Sequence, residues 1–134
     1  MLGDHAYIQL FKDVVHRGDA LRAAFEETEE TDPNHLLGRP NQYIAKASWH
    51  DTRLDEPADP REINVSDGGG IEIFPDAERA KARFDYIQEF GKSLPILVEY
   101  GYLNGPVLLR LSKELTPTQA KEYQVIFESM AIGP

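Results

Sequence analysis

Residues 70–130 constrain the fold more than any other part of this chain, because almost every predicted element there has a recognisable beginning and end. A short alternating run containing Ile71 and Ile73 predicts a strand. Asp76 then suits the N-cap of a helix that we expect to end near Gly91. The order of strand, helix, hairpin and helix predicts a sheet with helices packed against it.

The hairpin and the last helix carry clear local signals. Asn104-Gly105 separates two apolar runs and predicts a tight turn between antiparallel strands, although Pro106 cannot donate to the ladder. Thr116-Pro117-Thr118-Gln119 predicts a helix start, with threonine as N-cap and Gln119 reaching back to a free amide. The buried stripes are expected to be Ala77, Ala80, Phe84, Ile87 and Phe90 in the first helix, and Ala120, Tyr123, Ile126, Phe127 and Met130 in the second.

The first half of the chain is less regular. Apolar residues recur at intervals of three and four over residues 4–25, which predicts an N-terminal helical segment at 1–25 with a break at Gly18. Residues 43–49 alternate and predict a strand with Tyr43, Ala45, Ala47 and Trp49 on the face that points inward. Residues 26–41 are rich in turn-forming residues, and we expect this loop to tuck Leu36 and Leu37 against the domain.

We therefore expect one α+β domain over residues 1–134, with its core at 31–130. The predicted architecture is a two-layer sandwich: about four strands with helices on one face, in a ferredoxin-like or half-ferredoxin arrangement. The strand near Ile71 and the strand near Leu97 should run parallel, joined by a right-handed crossover through the helix.

The chain is acidic, with a formal net charge of −9. This charge argues against nucleic acid as a partner, since binding to phosphates needs a cationic face. Between residues 26 and 67 there are eleven acidic and four basic residues. One interpretation is a solvated loop face, and the other is a docking surface for a basic protein partner. In the second case Asp55, Glu56 and Asp59, in the acidic loop at 51–70, are the candidate contacts.

No spacing in the sequence predicts catalytic, cofactor or metal chemistry. The absence of cysteine excludes disulfides, thiolate zinc sites and a cysteine nucleophile. The four histidines have no metal-ligand spacing, and Ser66 to Gly70 lacks the lysine of a phosphate-binding loop. We therefore predict no cofactor, no metal ion and no catalytic residue. No apolar run approaches the roughly 18 to 20 residues that cross a bilayer.

Four residues of the predicted strands are candidates for ligand contact: Trp49, His50, Tyr100 and Arg110. Arg110 lies in an apolar strand, where a guanidinium persists only if it is paired or lies on an open face. Glu72 and Glu99 are possible partners across the strands. A structural ion pair and a ligand contact are both open interpretations of this arginine.

Three functions are compatible with these patterns. The first is a non-enzymatic binding or protein-interaction module that uses the open face of the sheet or the acidic loop. The second is a small ferredoxin-like enzyme or ligand-binding domain, possible also as a homodimer that joins two sheets. The third is an acidic inhibitor or immunity-type protein that neutralises a basic partner. Neither the charge nor the motifs decide between a cytoplasmic and an extracytoplasmic location.

Three parts of the chain resemble a known group of proteins. They are Thr31-Asp32-Pro33-Asn34-His35-Leu36-Leu37-Gly38-Arg39-Pro40, Gly69-Gly70-Ile71-Glu72-Ile73-Phe74, and Leu108-Leu109-Arg110 with Leu115-Thr116-Pro117. Over Thr31 to Met130 the chain is similar to small secreted and lipoprotein-like proteins of actinobacteria that have no assigned activity. The resemblance implies an extracytoplasmic location, with an export signal or lipid-bearing cysteine upstream. Residues 4–25 depart from the pattern, and no functional residue is carried over.

Overall fold

The computed structural model describes residues 21–26, 28–32 and 34–130. These residues form a five-stranded antiparallel sheet in the order β1-β2-β3-β5-β4. The strands are β1 Leu21–Glu26, β2 Ala45–Asp51, β3 Gly68–Ile73, β4 Glu99–Asn104 and β5 Val107–Ser112. The helices are α1 Ala77–Ser93 and α2 Pro117–Ser129, with single 3-10 turns at Val65–Asp67 and Pro95–Leu97. Neither helix is long and apolar enough to span a membrane.

Both helices begin as predicted. The Asp76 side chain accepts a hydrogen bond from the Arg79 amide at 2.8 Å. Thr116 and Gln119 form the reciprocal capping box, at 3.2 and 2.9 Å. The first helix does not end at Gly91, however, but continues to Ser93. Gly91 is buried there because Val98 packs against it, and a Cβ at this position would lie 3.3 Å from Cγ2 of Val98.

The predicted α+β class is confirmed, and the hairpin forms at Gly105, which has the positive φ of 57° that this turn requires. β3 and β4 are both antiparallel to β5, which lies between them, so they run parallel to each other as expected. The unit β3-α1-β4-β5 is therefore a split β-α-β unit, which is half of a ferredoxin-like fold.

The two helices pack on opposite faces of the sheet, which corrects the predicted placement of both on one face. Ile71 and Leu109 share a core cluster with Tyr123 and Phe127 of α2. Leu108, the neighbour of Leu109 on β5, packs instead with Ala80 of α1. Because successive strand residues point to opposite faces, these clusters define an α1 face and an α2 face. The near-continuous apolar sequence of β5 is typical of a strand buried on both sides.

The N-terminal prediction is corrected where the structure describes it. Residues 21–25, predicted as the end of a helix, belong to β1. β1 pairs with β2 from Leu21 opposite Asp51 to Glu26 opposite Ala47, with one register shift. This pairing satisfies the backbone groups on the outer edge of β2, and such long-range hydrogen bonding outweighs a local helical pattern. The remainder of the predicted helical segment, residues 1–20, lies outside the described residues.

The predicted orientation of some side chains in the β2 region and in α1 also differs from the structure. Tyr43 does not lie on the same side as Trp49, because it precedes β2, and it packs edge-on against Phe74 on the α1 face. Two residues of the predicted buried stripe of α1 are exposed, namely Ala77 and Phe90, the latter to 43%. Leu36 and Leu37 do pack against the core, as predicted for the loop.

Candidate functional site

The four strand residues predicted to surround one pocket lie on two different faces. Trp49 is fully buried on the α2 face, where its ring stacks on Tyr123 with centroids 5.9 Å apart. Tyr100 lies on the same face and donates a 3.0 Å hydrogen bond to the carbonyl of Leu115. His50 and Arg110 alternate with these residues and point to the α1 face. The structure therefore does not bring the four together.

His50 holds the start of the acidic loop. Its Nε2 lies 3.0 Å from the carbonyl oxygen of Asp55 and 3.3 Å from that of Leu54. Only 3% of this histidine is exposed. The side chain therefore contributes to the shape of the loop, and its Nε2 is already engaged by backbone.

The acidic loop predicted at 51–70 is shorter in the structure, because Asp51 ends β2 and residues 68–70 begin β3. Several carboxylates of this segment are used internally. Asp51 is buried and accepts hydrogen bonds from the guanidinium of Arg53 at 3.0 and 2.8 Å. Asp59 pairs with Arg61 at 3.3 Å, and Asp67 closes the 3-10 turn that leads into β3. The side chains of Asp55 and Glu56 are exposed. Of the three predicted partner contacts, these two are the ones that the loop leaves at the surface without an ion pair to the described residues.

The centre of the α1 face is a buried carboxylate with three cations around it. Glu72 is fully buried, and its Oε1 lies 3.3 Å from Nε of Arg83. Its Oε2 lies 3.0 Å from Nη1 of Arg110 and 3.7 Å from Nζ of Lys46. Burial alone would raise the pKa of Glu72, but the charges of Arg110, Lys46 and Arg83 lower it. The glutamate is therefore charged at neutral pH.

Two of these three cations have a second carboxylate of their own. Arg110 donates from Nε and Nη2 to the two oxygens of Glu99, at 2.6 and 3.1 Å, so its predicted pairing is confirmed with both glutamates. Lys46 contacts Asp32 at 3.3 Å. Arg83 contacts no second carboxylate among the described residues.

Asp32 connects this charged cluster to the loop that precedes β2. Its carboxylate accepts hydrogen bonds from the Tyr43 hydroxyl at 2.6 Å and from the amides of Leu36 and Leu37 at 2.9 and 3.0 Å. Burial raises the pKa of Asp32, but these hydrogen bonds and Lys46 together bring it down to about 2. The loop is consequently fixed against the sheet beside α1.

A cleft of about 580 Å³ lies between this loop and the outer flank of α1. Its size falls within the range of roughly 300 to 1,000 Å³ that is typical of small-molecule sites. Arg79 joins the two walls, donating from Nε to the Asn41 side chain at 3.0 Å. We call this space the α1 cleft; it is lined by Leu36, Asn41, Gln42, Glu78, Arg79, Ala82, Arg83 and Tyr86.

A smaller cleft of about 200 Å³ adjoins the α1 cleft and shares Arg83 and Tyr86 with it. Tyr86 is 59% exposed, and its ring centroid lies 5.7 Å from that of Phe90. The wall beside the arginines is therefore an exposed aromatic pair. The spacing of four and three places Arg79, Arg83 and Tyr86 on one flank of a helix, but no motif in the sequence distinguishes them as site residues.

The buried carboxylates of this face are held in their charged form by hydrogen bonds and neighbouring cations. The pKa values of Asp32 and Glu72 are both lowered, and such carboxylates are weak bases near neutral pH. No group of three potential metal ligands occurs within the part of the chain that the structure describes.

Comparisons of the chain with protein-family models, curated proteins and solved structures found no match. The resemblance to actinobacterial secreted proteins stays a prediction.

Proposed function

We propose that this protein is a non-enzymatic binding module whose ligand occupies the α1 cleft. The observation that carries the proposal is the composition of this cleft. Arg79, Arg83 and Gln42 line a space of about 580 Å³ together with the exposed ring of Tyr86. An apolar wall with a few convergent polar groups is typical of ligand sites.

The fixed position of the polar groups supports binding without catalysis. Glu72 anchors Arg83 from below, and Asp76 and Asn41 anchor Arg79. Such pre-organised side chains lose little conformational entropy when a ligand arrives. Their carboxylate neighbours are held charged and paired, so they offer no poised general acid.

A protein partner at the acidic loop has less support. Asp59 is engaged with Arg61, which leaves Asp55 and Glu56 as the exposed acids among the three candidates. Exposed charges of this kind contribute little affinity each, with about 1 kcal/mol as an upper value for an isolated surface pair.

The proposal is tested by filling the cleft. Ala82 is an exposed residue of α1 that lines it, so Ala82→Trp should occlude the space without disturbing the core. Ala77→Trp makes the same change on an exposed residue of the same helix that does not line the cleft. We would titrate isotopically labelled protein with a panel of amino acids, nucleosides, monosaccharides, short peptides and aromatic acids, and follow backbone amide shifts.

We expect at least one class in the panel to shift the amides of Gln42, Arg83 and Tyr86 in wild type and in Ala77→Trp, but not in Ala82→Trp. The ligand should be recovered unchanged after long incubation. Shifts confined to residues 55–62, equal binding by Ala82→Trp, or no shift from any panel member would overturn the proposed site. Recovery of a converted ligand would overturn the non-enzymatic part.

A further inference from the structure

We propose that the α1 cleft recognises a carboxylate group of its ligand through the guanidinium of Arg83. This inference rests on the proposed function, because it names the chemistry of the group that the same cleft would bind. Its basis is the unequal pairing of the three cations around Glu72.

All three cations contact Glu72, but their other contacts differ. Asp32 lies 3.3 Å from Lys46, and Glu99 makes two hydrogen bonds to Arg110. Arg83 has only the 3.3 Å contact of its Nε with Glu72 among the described residues. A ligand carboxylate would occupy for Arg83 the place that Asp32 and Glu99 occupy for the other two.

The free end of Arg83 has the right geometry for this role. Its Nε is directed to Glu72, and the structure shows no hydrogen bond from its two Nη atoms to the described residues. Those two nitrogens form the planar fork that matches the two oxygens of a carboxylate. Only 12% of the side chain is exposed, and a largely desolvated donor gains more from an acceptor than one in open water.

The charges of the cleft favour a monoanion over a phosphate. The lining holds Arg79 and Arg83 but also Glu78, and the two arginines are already paired with Asp76 and Glu72. A carboxylate can use the Nη atoms of Arg83, whereas the second charge of a dianion would have no further guanidinium in the lining without a carboxylate partner.

The lining also constrains the rest of the ligand. Leu36, Ala82 and the exposed ring of Tyr86 can accept an apolar or aromatic body attached to the carboxylate. A small aromatic acid and the C-terminal residue of a peptide share this chemistry.

The test compares an acid with its matched amide on the full chain. The probes are 3-phenylpropionate and 3-phenylpropionamide, which share a shape and differ in charge. Because hydrogen bonds to charged groups are about twice as strong as neutral ones, we expect the acid to bind about tenfold more tightly, with shifts at Arg83 and Tyr86. In Arg83→Gln the acid should lose this advantage while the amide binds as before, and Arg83→Lys should be intermediate.

Arg61→Gln is the matched control, since the Arg61 side chain is 91% exposed and does not line the cleft. It should leave both affinities unchanged. If Arg83→Gln fails to fold, the wild-type protein still tests the inference, because acid and amide should differ in affinity and in the shift at Arg83. Gly-Gly-Phe with a free or an amidated C-terminus distinguishes a small aromatic acid from the C-terminal residue of a peptide. If the free peptide binds at least as tightly as 3-phenylpropionate, the ligand is a peptide C-terminus.

The outcomes separate this inference from the proposed function. Equal affinity for acid and amide at the α1 cleft, or an unchanged preference in Arg83→Gln, would overturn the carboxylate assignment and leave the binding module standing. Absence of cleft shifts with these probes and with every member of the wider panel would overturn both.

Discussion

The hydroxyl of Tyr123 donates a 2.7 Å hydrogen bond to Oδ2 of Asp51, which joins the end of β2 to α2 on one face of the sheet. On the other face Arg83 of α1 contacts Glu72 of β3 at 3.3 Å. Both carboxylates are fully buried. Each helix therefore contacts the sheet through its apolar stripe and also through one polar side chain that is hydrogen-bonded to a buried carboxylate. The same arrangement that positions α1 also holds the Arg83 end of the α1 cleft.

Tyr123→Phe should destabilise the protein by roughly 1 to 3 kcal/mol, because a buried carboxylate loses one of its donors while the packing on Trp49 is kept. Tyr86→Phe removes the same hydroxyl from a ring that is 59% exposed, and its free energy of unfolding should stay close to wild type. Urea denaturation measures both. Equal stability of the two variants would show that the contact with Asp51 contributes nothing.

Glu72→Gln should be more damaging, because Lys46, Arg83 and Arg110 would lose the charge that they share in a buried site. Breaking a buried ion pair typically costs about 3 to 5 kcal/mol. The midpoint of urea unfolding should fall with little change in the slope. Glu89→Gln, at a side chain that is 75% exposed, is the control. A loss no larger than that of the control would mean that the cluster is solvated and the three cations independent.

The glycines of β3 should differ sharply in their tolerance of alanine. A Cβ at Gly69 would lie 2.6 Å from Cζ2 of Trp49 and 2.9 Å from the carbonyl oxygen of Arg110, so Gly69→Ala should cost about 1 to 3 kcal/mol by overpacking. At the next residue, Gly70, the nearest atom would be 3.4 Å away, so Gly70→Ala should be nearly neutral. Thermal unfolding of the two variants checks this, and a Gly69→Ala variant as stable as Gly70→Ala and wild type would show that Trp49 can move aside.

Much of the local structure could be predicted because its causes are local. The caps at Asp76 and Thr116, the turn at Gly105 and the pairing of Arg110 follow from residue types at short spacing or in one apolar strand. Local patterns do not predict that the helices lie on two faces, because the face that each helix covers depends on the direction of the loop that joins it to the sheet. β5 carried the relevant signal, because Leu108 and Leu109 are both buried and therefore need cover on both sides.

The candidate site was less accessible from the sequence for a related reason. Arg83 becomes distinctive only through its contact with Glu72, eleven residues earlier, and through the lack of a second acid beside it in the described structure. Neither condition leaves a trace in helix spacing. Trp49 and Tyr100 are predicted ligand contacts because they are aromatic strand residues, but both pack on the α2 face. Sequence patterns identify which residues are unusual, but the sheet register decides which of them meet.

The free energy of unfolding should decrease in acid as the Asp32 carboxylate becomes protonated. The pKa of this group is lowered from 3.8 to about 2. A carboxyl group with a lowered pKa stabilises the folded state above its unfolded pKa, and it loses this contribution as the pH drops toward its folded pKa. The contribution of about 2 kcal/mol should therefore be complete above about pH 4 to 5 and lost progressively down to about pH 2. In Asp32→Asn the unfolding free energy should be lower at neutral pH and should converge with wild type in acid. Asp85→Asn, at an exposed acid of α1, controls for the loss of one charge, and a constant offset between wild type and Asp32→Asn would contradict the assignment.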